Sequence, residues 1–101
     1  MNKLNYTNKN GNYFEIEFLN ADVPLDADYF GYLIKVVADN NDKMVYEYKA
    51  CVYKSLCPSE QSSRLWLNNV ASEFLKEILE TYNNGKTLML LPNSNGKWFI
   101  L

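Results

Sequence analysis

The chain of 101 residues contains no histidine. Histidine is the most frequent general base and transition-metal ligand in proteins, so its absence excludes Ser-His and Cys-His nucleophile pairs and argues against a transition-metal site. The four glycines stand alone at positions 11, 31, 85 and 96, so the sequence has no glycine-rich phosphate loop. We therefore predict a protein that is not an enzyme and binds neither a metal nor a cofactor.

Cysteine and arginine are also scarce. Cys51 and Cys57 are too few for a disulfide scaffold or a four-thiolate zinc site, and their spacing is not that of a CxxC redox motif. We expect both thiols to be reduced and metal-free, as in a cytoplasmic protein. Arg64 is the single arginine, and the net charge is −2 without a long run of either sign, so the sequence predicts no nucleic-acid partner.

Long apolar runs are missing too. No run of about 18 apolar residues occurs, and the first residues contain no apolar h-region, so the sequence predicts neither a membrane span nor a signal peptide. Apolar residues make up 48% of the chain and charged residues 22%, values typical of a folded protein. We predict one cytoplasmic domain over residues 1–101.

The most extensive pattern that is present predicts a helix between Pro58 and Gly85. From Leu67 onward, apolar residues recur three and four positions apart, as on one side of an α-helix. This apolar stripe comprises Leu67, Val70, Ala71, Phe74, Leu75, Ile78, Leu79 and Tyr82. The opposite side is polar and includes Ser72 and Glu77. We expect Phe74, in the middle of the stripe, to contribute strongly to stability.

Both ends of this helix are marked in the sequence. Ser59, Ser62 and Ser63 are alternative N-cap residues, and none has Glu or Gln three positions later to complete a capping box. Asn83-Asn84-Gly85 predicts the C-terminal end, because these residues tolerate the left-handed conformation that stops a helix.

Strand patterns precede and follow the helix. Alternation is clearest over 13–19, and further strands are predicted over 3–7, 30–38, 44–53, 87–91 and 98–101. Asn10-Gly11 and Asn95-Gly96 favour hairpin turns. The order β-β-β-β-α-β-β predicts an α+β fold, a mainly antiparallel sheet of five to six strands with one long amphipathic helix packed across one face. A parallel pair flanking the helix is an alternative that would require a right-handed crossover.

The sheet face away from the helix, called the far face below, is the predicted interface. The last two strands do not alternate and are apolar on both sides, so part of their apolar surface must lie on this face. Contiguous exposed apolar surface usually marks a binding site. The predicted interface residues are Leu33, Val37, Val45, Tyr53, Met89, Leu91, Phe99 and Leu101. A homodimer is the simplest assembly, and a sheet curled into a half-barrel is the alternative.

Two carboxylate groupings have chemical meaning. Glu15 and Glu17 point to the same side of one strand, so a two-carboxylate site is conceivable, but a solvated strand face is the simpler interpretation. Asp22, Asp26 and Asp28 are expected to form turns and not a calcium loop, because Val37 occupies the position of the closing glutamate.

Taken together, the residues predict a small protein that recognises another protein or a second copy of itself, without catalysis. Many asparagines and lysines with one arginine are typical of an AT-rich genome. We therefore expect an accessory factor of a low-GC bacterium or phage, of the immunity or anti-defence type. The alternative is a small enzyme or ligand-binding domain in which Glu15, Glu17 and tyrosines line a half-barrel cavity.

Overall fold

The computed structural model describes residues 3–39, 43–82 and 98–100. It contains the strands β1 (Lys3–Thr7), β2 (Tyr13–Asn20), β3 (Tyr29–Asp39) and β4 (Lys43–Tyr53) before the helix, and β5 (Trp98–Ile100) after it. The helix is continuous in three parts, which are α1 (Glu60–Trp66), a π-helical turn (Leu67–Ala71) and α2 (Ser72–Glu80).

The strands lie in the sheet in chain order, and every neighbouring pair is antiparallel. The predicted α+β class, with an antiparallel sheet and one helix, is therefore confirmed. The predicted number of strands and element order are not matched exactly. Four long strands are joined by a fifth of three residues, and the predicted strand over 87–91 lies outside the described residues. The strands that flank the helix, β4 and β5, are antiparallel, so the parallel alternative does not apply to them.

One core cluster joins the sheet to the helix. Alternation on β2, β3 and β4 turns every second side chain toward the helix, where most of these residues are fully buried. The buried strand residues are Phe14, Ile16, Phe18, Tyr32, Ile34, Val36, Ala38, Ala50 and Val52. From the helix, Leu67, Ala71, Leu75 and Leu79 join them without any exposed surface. The far face therefore lies opposite this core, as predicted.

The helix side chains that pack on the sheet differ from the predicted stripe. The residues without exposed surface are four apart, at Leu67, Ala71, Leu75 and Leu79, whereas Val70 is 38% exposed and Phe74 is half-buried outside the core cluster. In an α-helix, positions four apart drift around the axis by about 40° at each step. The π-helical turn rotates fewer degrees per residue than an α-helix and so offsets this drift. The row of four buried residues therefore faces the sheet along the whole helix.

The placement of Phe74 in the middle of the buried stripe was therefore wrong. Ser72, predicted on the polar side, is 2% exposed, and its hydroxyl donates to the carbonyl of Asn68 at 2.7 Å. Ser72 can be buried because its hydroxyl has this partner within the helix.

Ser59 is the N-cap residue of the helix. Its hydroxyl accepts from the backbone N–H of Ser62 at 3.0 Å, and the Ser59 N–H donates to the hydroxyl of Ser62 at 3.1 Å. The two bonds form a capping box in which Ser62 takes the position that Glu or Gln usually occupies. The predicted stop at Asn83-Asn84-Gly85 lies outside the described residues.

The first Asn-Gly pair forms the turn between β1 and β2. Gly11 has a φ of 79°, and no other described residue has a positive φ. The loop is closed by a bond from the Asn8 N–H to the carbonyl of Asn12 at 3.0 Å. Asn10-Gly11 therefore forms a hairpin turn as predicted, with only the glycine in the left-handed region. The second pair, Asn95-Gly96, lies outside the described residues.

The loop between β2 and β3 folds over one end of the far face, and Gly31 makes room for it. A Cβ atom at Gly31 would lie 2.5 Å from Cγ1 of Val23, a short and stiff side chain. We expect Gly31→Ala to lower the free energy of unfolding by about 1–3 kcal/mol through overpacking. Urea denaturation of Gly31→Ala, Val23→Ala and the double variant measures this effect.

The double variant provides the control, because alanine at position 23 removes the clashing Cγ1 atom. The double variant should lose less stability than the sum of the two single variants. Strict additivity would contradict the proposed contact between this loop and β3.

Candidate functional site

The far face is the largest surface of the sheet that the helix leaves uncovered. Of the predicted interface residues, Leu33 and Tyr53 are half-buried there, Val37 is 8% exposed and Val45 is 50% exposed. Val37 and Val45 lie opposite each other on β3 and β4. Leu33 is separated from this pair by Lys35, so the described apolar residues do not form one contiguous patch.

The other predicted interface residues belong to the end of the chain. Phe99 lies on β5, whose register places it opposite Cys51 on β4, a far-face position. Met89, Leu91 and Leu101 lie outside the described residues. Within the described structure, the predicted interface residues therefore lie on β3 and β4, with Phe99 on β5.

A row of alternating charges crosses the far face, and it was not predicted from the sequence. In register across four strands lie Lys3, Glu17, Lys35 and Glu47, which we call the charge row. Each member is directly opposite a residue of opposite charge on the neighbouring strand, the arrangement that favours cross-strand pairing. The signal in the sequence was the alternation of these residues with core residues, but their alignment depends on the strand register.

Most of the charge row is nevertheless without a close partner among the residues that the structure describes. Lys3 Nζ lies 3.7 Å from a carboxylate oxygen of Glu15, which is on β2 two residues before Glu17. Within residues 3–39, 43–82 and 98–100, Glu17, Lys35 and Glu47 take part in no salt bridge or side-chain hydrogen bond. Three charges of the row are thus available to an incoming molecule.

A hollow of about 250 Å³ lies on the far face over the charge row. The residues that line it are Lys3, Glu15, Glu17, Lys35, Val37, Lys43 and Val45. The structure therefore brings Glu15 and Glu17 to one surface, as predicted. Three lysines surround the two carboxylates and make the hollow mixed in charge.

A second hollow, of about 290 Å³, lies where the β2–β3 loop meets the start of the helix. Its lining includes Asn20 and Glu60, whose side chains are joined by a hydrogen bond of 3.2 Å. The Arg64 guanidinium donates to the side-chain carbonyl of Asn20 and lies 4.0 Å from Glu60. Because these polar side chains bind one another, this hollow offers few groups to a ligand.

Two tyrosines of β4, Tyr46 and Tyr48, lie on the helix side of the sheet. Tyr46 and Tyr48 are half-buried and pack against the core cluster. Burial raises the pKa of Tyr48, and the neighbouring Tyr46 adds to the effect. Since Glu15 and Glu17 lie on the far face, these two tyrosines do not line the same hollow as the carboxylates.

Both cysteines are free and buried. Cys51 lies on β4 and Cys57 lies in the core cluster, and each is 4% exposed. Burial raises the pKa of the Cys51 thiol, with a smaller contribution from the charge of Asp28. Both effects keep the thiol protonated, and a protonated thiol is a poor nucleophile.

We expect both thiols to be resistant to alkylation in the folded protein and to react rapidly once urea unfolds it. Mass spectrometry after a short iodoacetamide pulse, with and without urea, measures the two reactions. A native mass two hydrogens below the calculated value, or a retained zinc ion, would contradict the prediction of reduced, metal-free cysteines.

The aspartates of the β2–β3 loop form no metal site, and the helix is no membrane span, in the part of the chain that the structure describes. Asp22, Asp26 and Asp28 are exposed, and the loop that carries them contains a turn closed by the Ala27 N–H and the carbonyl of Pro24 at 3.0 Å. Among the described residues, no group of three potential ligands is arranged to hold a metal ion. No described helix has the length and apolarity needed to cross a membrane.

Comparison with known proteins gives no relative for this chain. No protein-family model matches it, and no curated protein or solved structure is significantly similar to it.

Proposed function

We propose that this chain is a protein-binding module that recognises its partner through the far face of its sheet, without catalysis. The observation that carries the proposal is the charge row, because it orders four charges across a sheet face that the helix does not cover. Charges arranged in a fixed pattern give specificity and register to an association between proteins. Val45, 50% exposed beside the row, supplies apolar contact area.

The biological setting remains the one that composition favours. We place the chain among accessory factors of low-GC bacteria or their phages, of the immunity or anti-defence type. Such a factor would act by occupying a surface of its partner, which needs shape and charge but no reactive group.

Capture experiments with matched charge variants test the proposal. The tagged chain is incubated with extract of the cells that encode it, beside Lys35→Glu on the far face and Lys76→Glu on the helix. The two variants change the net charge equally, and Lys76 lies on the opposite side of the protein in an exposed pair with Glu73 at 3.4 Å. We expect a protein retained by the wild type and by Lys76→Glu, and lost with Lys35→Glu. Equal retention by all three would contradict the proposal.

A second candidate function is favoured by the hollow that contains both Glu15 and Glu17. Two carboxylates among three lysines suit a small ligand with charges of both signs. A thermal shift produced by such a ligand, and lost in Glu15→Gln and Glu17→Gln, would support a ligand-binding domain instead of a protein-binding module.

A further inference from the structure

The charge row is complementary to itself when it is reversed. Read from β1 to β4, its signs are positive, negative, positive, negative. Read from β4 to β1, they are the opposite at every position. We propose that the far face binds a second copy of this chain, through a two-fold axis that runs parallel to the strands between β2 and β3. This inference rests on the proposed function and names its partner.

Rotation about this axis places every charge of the row opposite its complement. Lys3 meets Glu47 of the second copy, and Glu17 meets Lys35 of the second copy. Two-fold symmetry repeats both contacts, so four pairs of opposite charge form across the interface. An axis along the row would instead place each charge against itself, so the charges favour only one of the two orientations.

The next row of side chains obeys the same symmetry. Leu19 on β2 and Leu33 on β3 lie directly opposite each other, on either side of the proposed axis. The rotation brings Leu19, which is 37% exposed, against Leu33 of the second copy and repeats the contact. An exposed leucine next to the charge row thereby gains an apolar partner.

The shape of a twisted sheet permits this packing. A two-fold rotation keeps the right-handed twist of the strands, so the two far faces remain parallel to each other along the row. Sheets packed face to face lie about 10 Å apart, and a lysine and a glutamate side chain together span this gap. Glu17, Lys35 and Glu47 can turn toward the second copy because they form no salt bridge in the described chain.

The size of the face indicates a weak dimer. The eight residues of β2 extend over roughly 27 Å, and four strands cover roughly 19 Å, which gives roughly 500 Å² on each copy. The total of about 1,000 Å² is at the lower limit of specific interfaces. Ion pairs that remain near solvent are screened by salt, so the association should depend strongly on ionic strength.

Sedimentation equilibrium of the full chain tests the dimer. We expect the protein to be a dimer in roughly 50 mM salt. In roughly 1 M salt its dissociation constant should be about tenfold higher or more, because screening weakens all four ion pairs. Lys35→Glu should be monomeric under both conditions, since two of the four pairs become repulsive. Lys76→Glu, which has the same net charge, should dimerise like the wild type.

A complete swap of the row makes the test specific to the proposed axis. The variant with Lys3→Glu, Glu17→Lys, Lys35→Glu and Glu47→Lys keeps the alternation within the chain and the complementarity between two copies of itself. We expect it to form homodimers. Mixed with isotope-labelled wild type, it should form no heterodimer, because every pair between the two proteins would then have like charges.

Native mass spectrometry of the mixture reads out this result. Heterodimers in the statistical proportion, or a wild-type protein that is monomeric at millimolar concentration, would overturn the inference. If the chain is monomeric while Lys35→Glu still loses a captured protein, the dimer is refuted and the proposed binding function remains supported. If Lys35→Glu changes neither the self-association nor the capture of another protein, both the dimer and the proposed binding function are refuted.

Discussion

Leu75→Ala should be among the most destabilising substitutions in the helix, with a loss of about 2–5 kcal/mol in the free energy of unfolding. Leu75 has no exposed surface and lies at the centre of the row that packs on the sheet. Alanine leaves a cavity between helix and strands that the antiparallel sheet cannot close. Urea denaturation followed by circular dichroism measures the loss, which approaches the whole stability of a small protein.

Two neighbouring positions serve as controls. Phe74→Ala removes a larger side chain, but Phe74 is half-buried outside the core cluster, so its loss should be clearly smaller than that of Leu75→Ala. Glu77→Ala, at an exposed position, should change stability by less than about 0.5 kcal/mol. A greater loss for Phe74→Ala than for Leu75→Ala would mean that the assignment of the buried row is wrong.

The π-helical turn explains why the sequence misled at Phe74. Apolar residues at three- and four-residue spacings predict a broad stripe on a straight α-helix, and the existence of the helix was predicted correctly on this basis. The turn at Leu67–Ala71 changes the phase between the two halves of the helix. No residue in it distinguishes a π turn from an α turn, so the rotation was not predictable from the pattern.

The helix N-terminus shows a different limitation. The sequence restricted the cap to three serines, and the structure selects Ser59. The capping-box rule asks for Glu or Gln at the third helical position, because these side chains reach back to the N-cap N–H. Ser62 reaches the same N–H at 3.1 Å with a shorter side chain. The rule was too narrow for this site.

The sequence predicted which charged residues lie on the far face, but not that four of them are aligned in the charge row. Alternation alone assigns Glu17, Lys35 and Glu47 to the side away from the core, because a strand has a period of two residues. Which of these residues lie opposite one another depends on the pairing register. A shift of one residue would place side chains of opposite faces across from each other, and the turns that set the register include a loop whose conformation the sequence does not specify. The self-complementary order of charges was therefore visible only in the folded sheet.

The contact between the first hairpin and the end of the helix was likewise visible only in the folded structure. Asn10-Gly11 predicted a turn in this part of the chain, but nothing in the sequence indicated that Asn8, two residues before it, lies beside the helix C-terminus. In the structure, the Asn8 side-chain amide donates to the carbonyls of Leu79 at 2.8 Å and Tyr82 at 3.0 Å. The Leu79 carbonyl lies in the last turn of the helix and also accepts from the Tyr82 N–H at 3.1 Å. The Tyr82 carbonyl lies just beyond α2 and also accepts from the side-chain amide of Asn10 at 3.1 Å.

Asn8 also fixes the hairpin turn from which it projects. Its side-chain oxygen accepts from the backbone N–H groups of Asn10 and Asn12, both at 3.0 Å. The amide thus makes four hydrogen bonds while the residue is 5% exposed. Its side chain joins two elements that are 71 residues apart in the sequence, beside bonds from Tyr6 and Lys9 to the Glu80 carboxylate.

We expect Asn8→Ala to lower the free energy of unfolding by about 2–4 kcal/mol, because it removes four hydrogen bonds and takes from the buried Asn12 N–H the acceptor that Asn8 provides. Asn8→Asp should be at least as destabilising. The carboxylate keeps the two acceptor bonds, but it cannot donate to the helix carbonyls and places a negative charge at the negative end of the helix dipole. Thermal and urea denaturation of both variants measure these losses.

The matched control is Asn5→Ala, at an exposed position on β1 three residues earlier, which should change stability by less than about 0.5 kcal/mol. Hydrogen exchange of the helix amides adds a local readout. If Asn8 stabilises the end of the helix, exchange should accelerate in the last turn of α2 in Asn8→Ala and stay unchanged in Asn5→Ala. Equal stability of Asn8→Ala and Asn5→Ala would show that solvent and the remaining partners satisfy these carbonyls as well as Asn8 does, and that Asn8 does not hold the helix end.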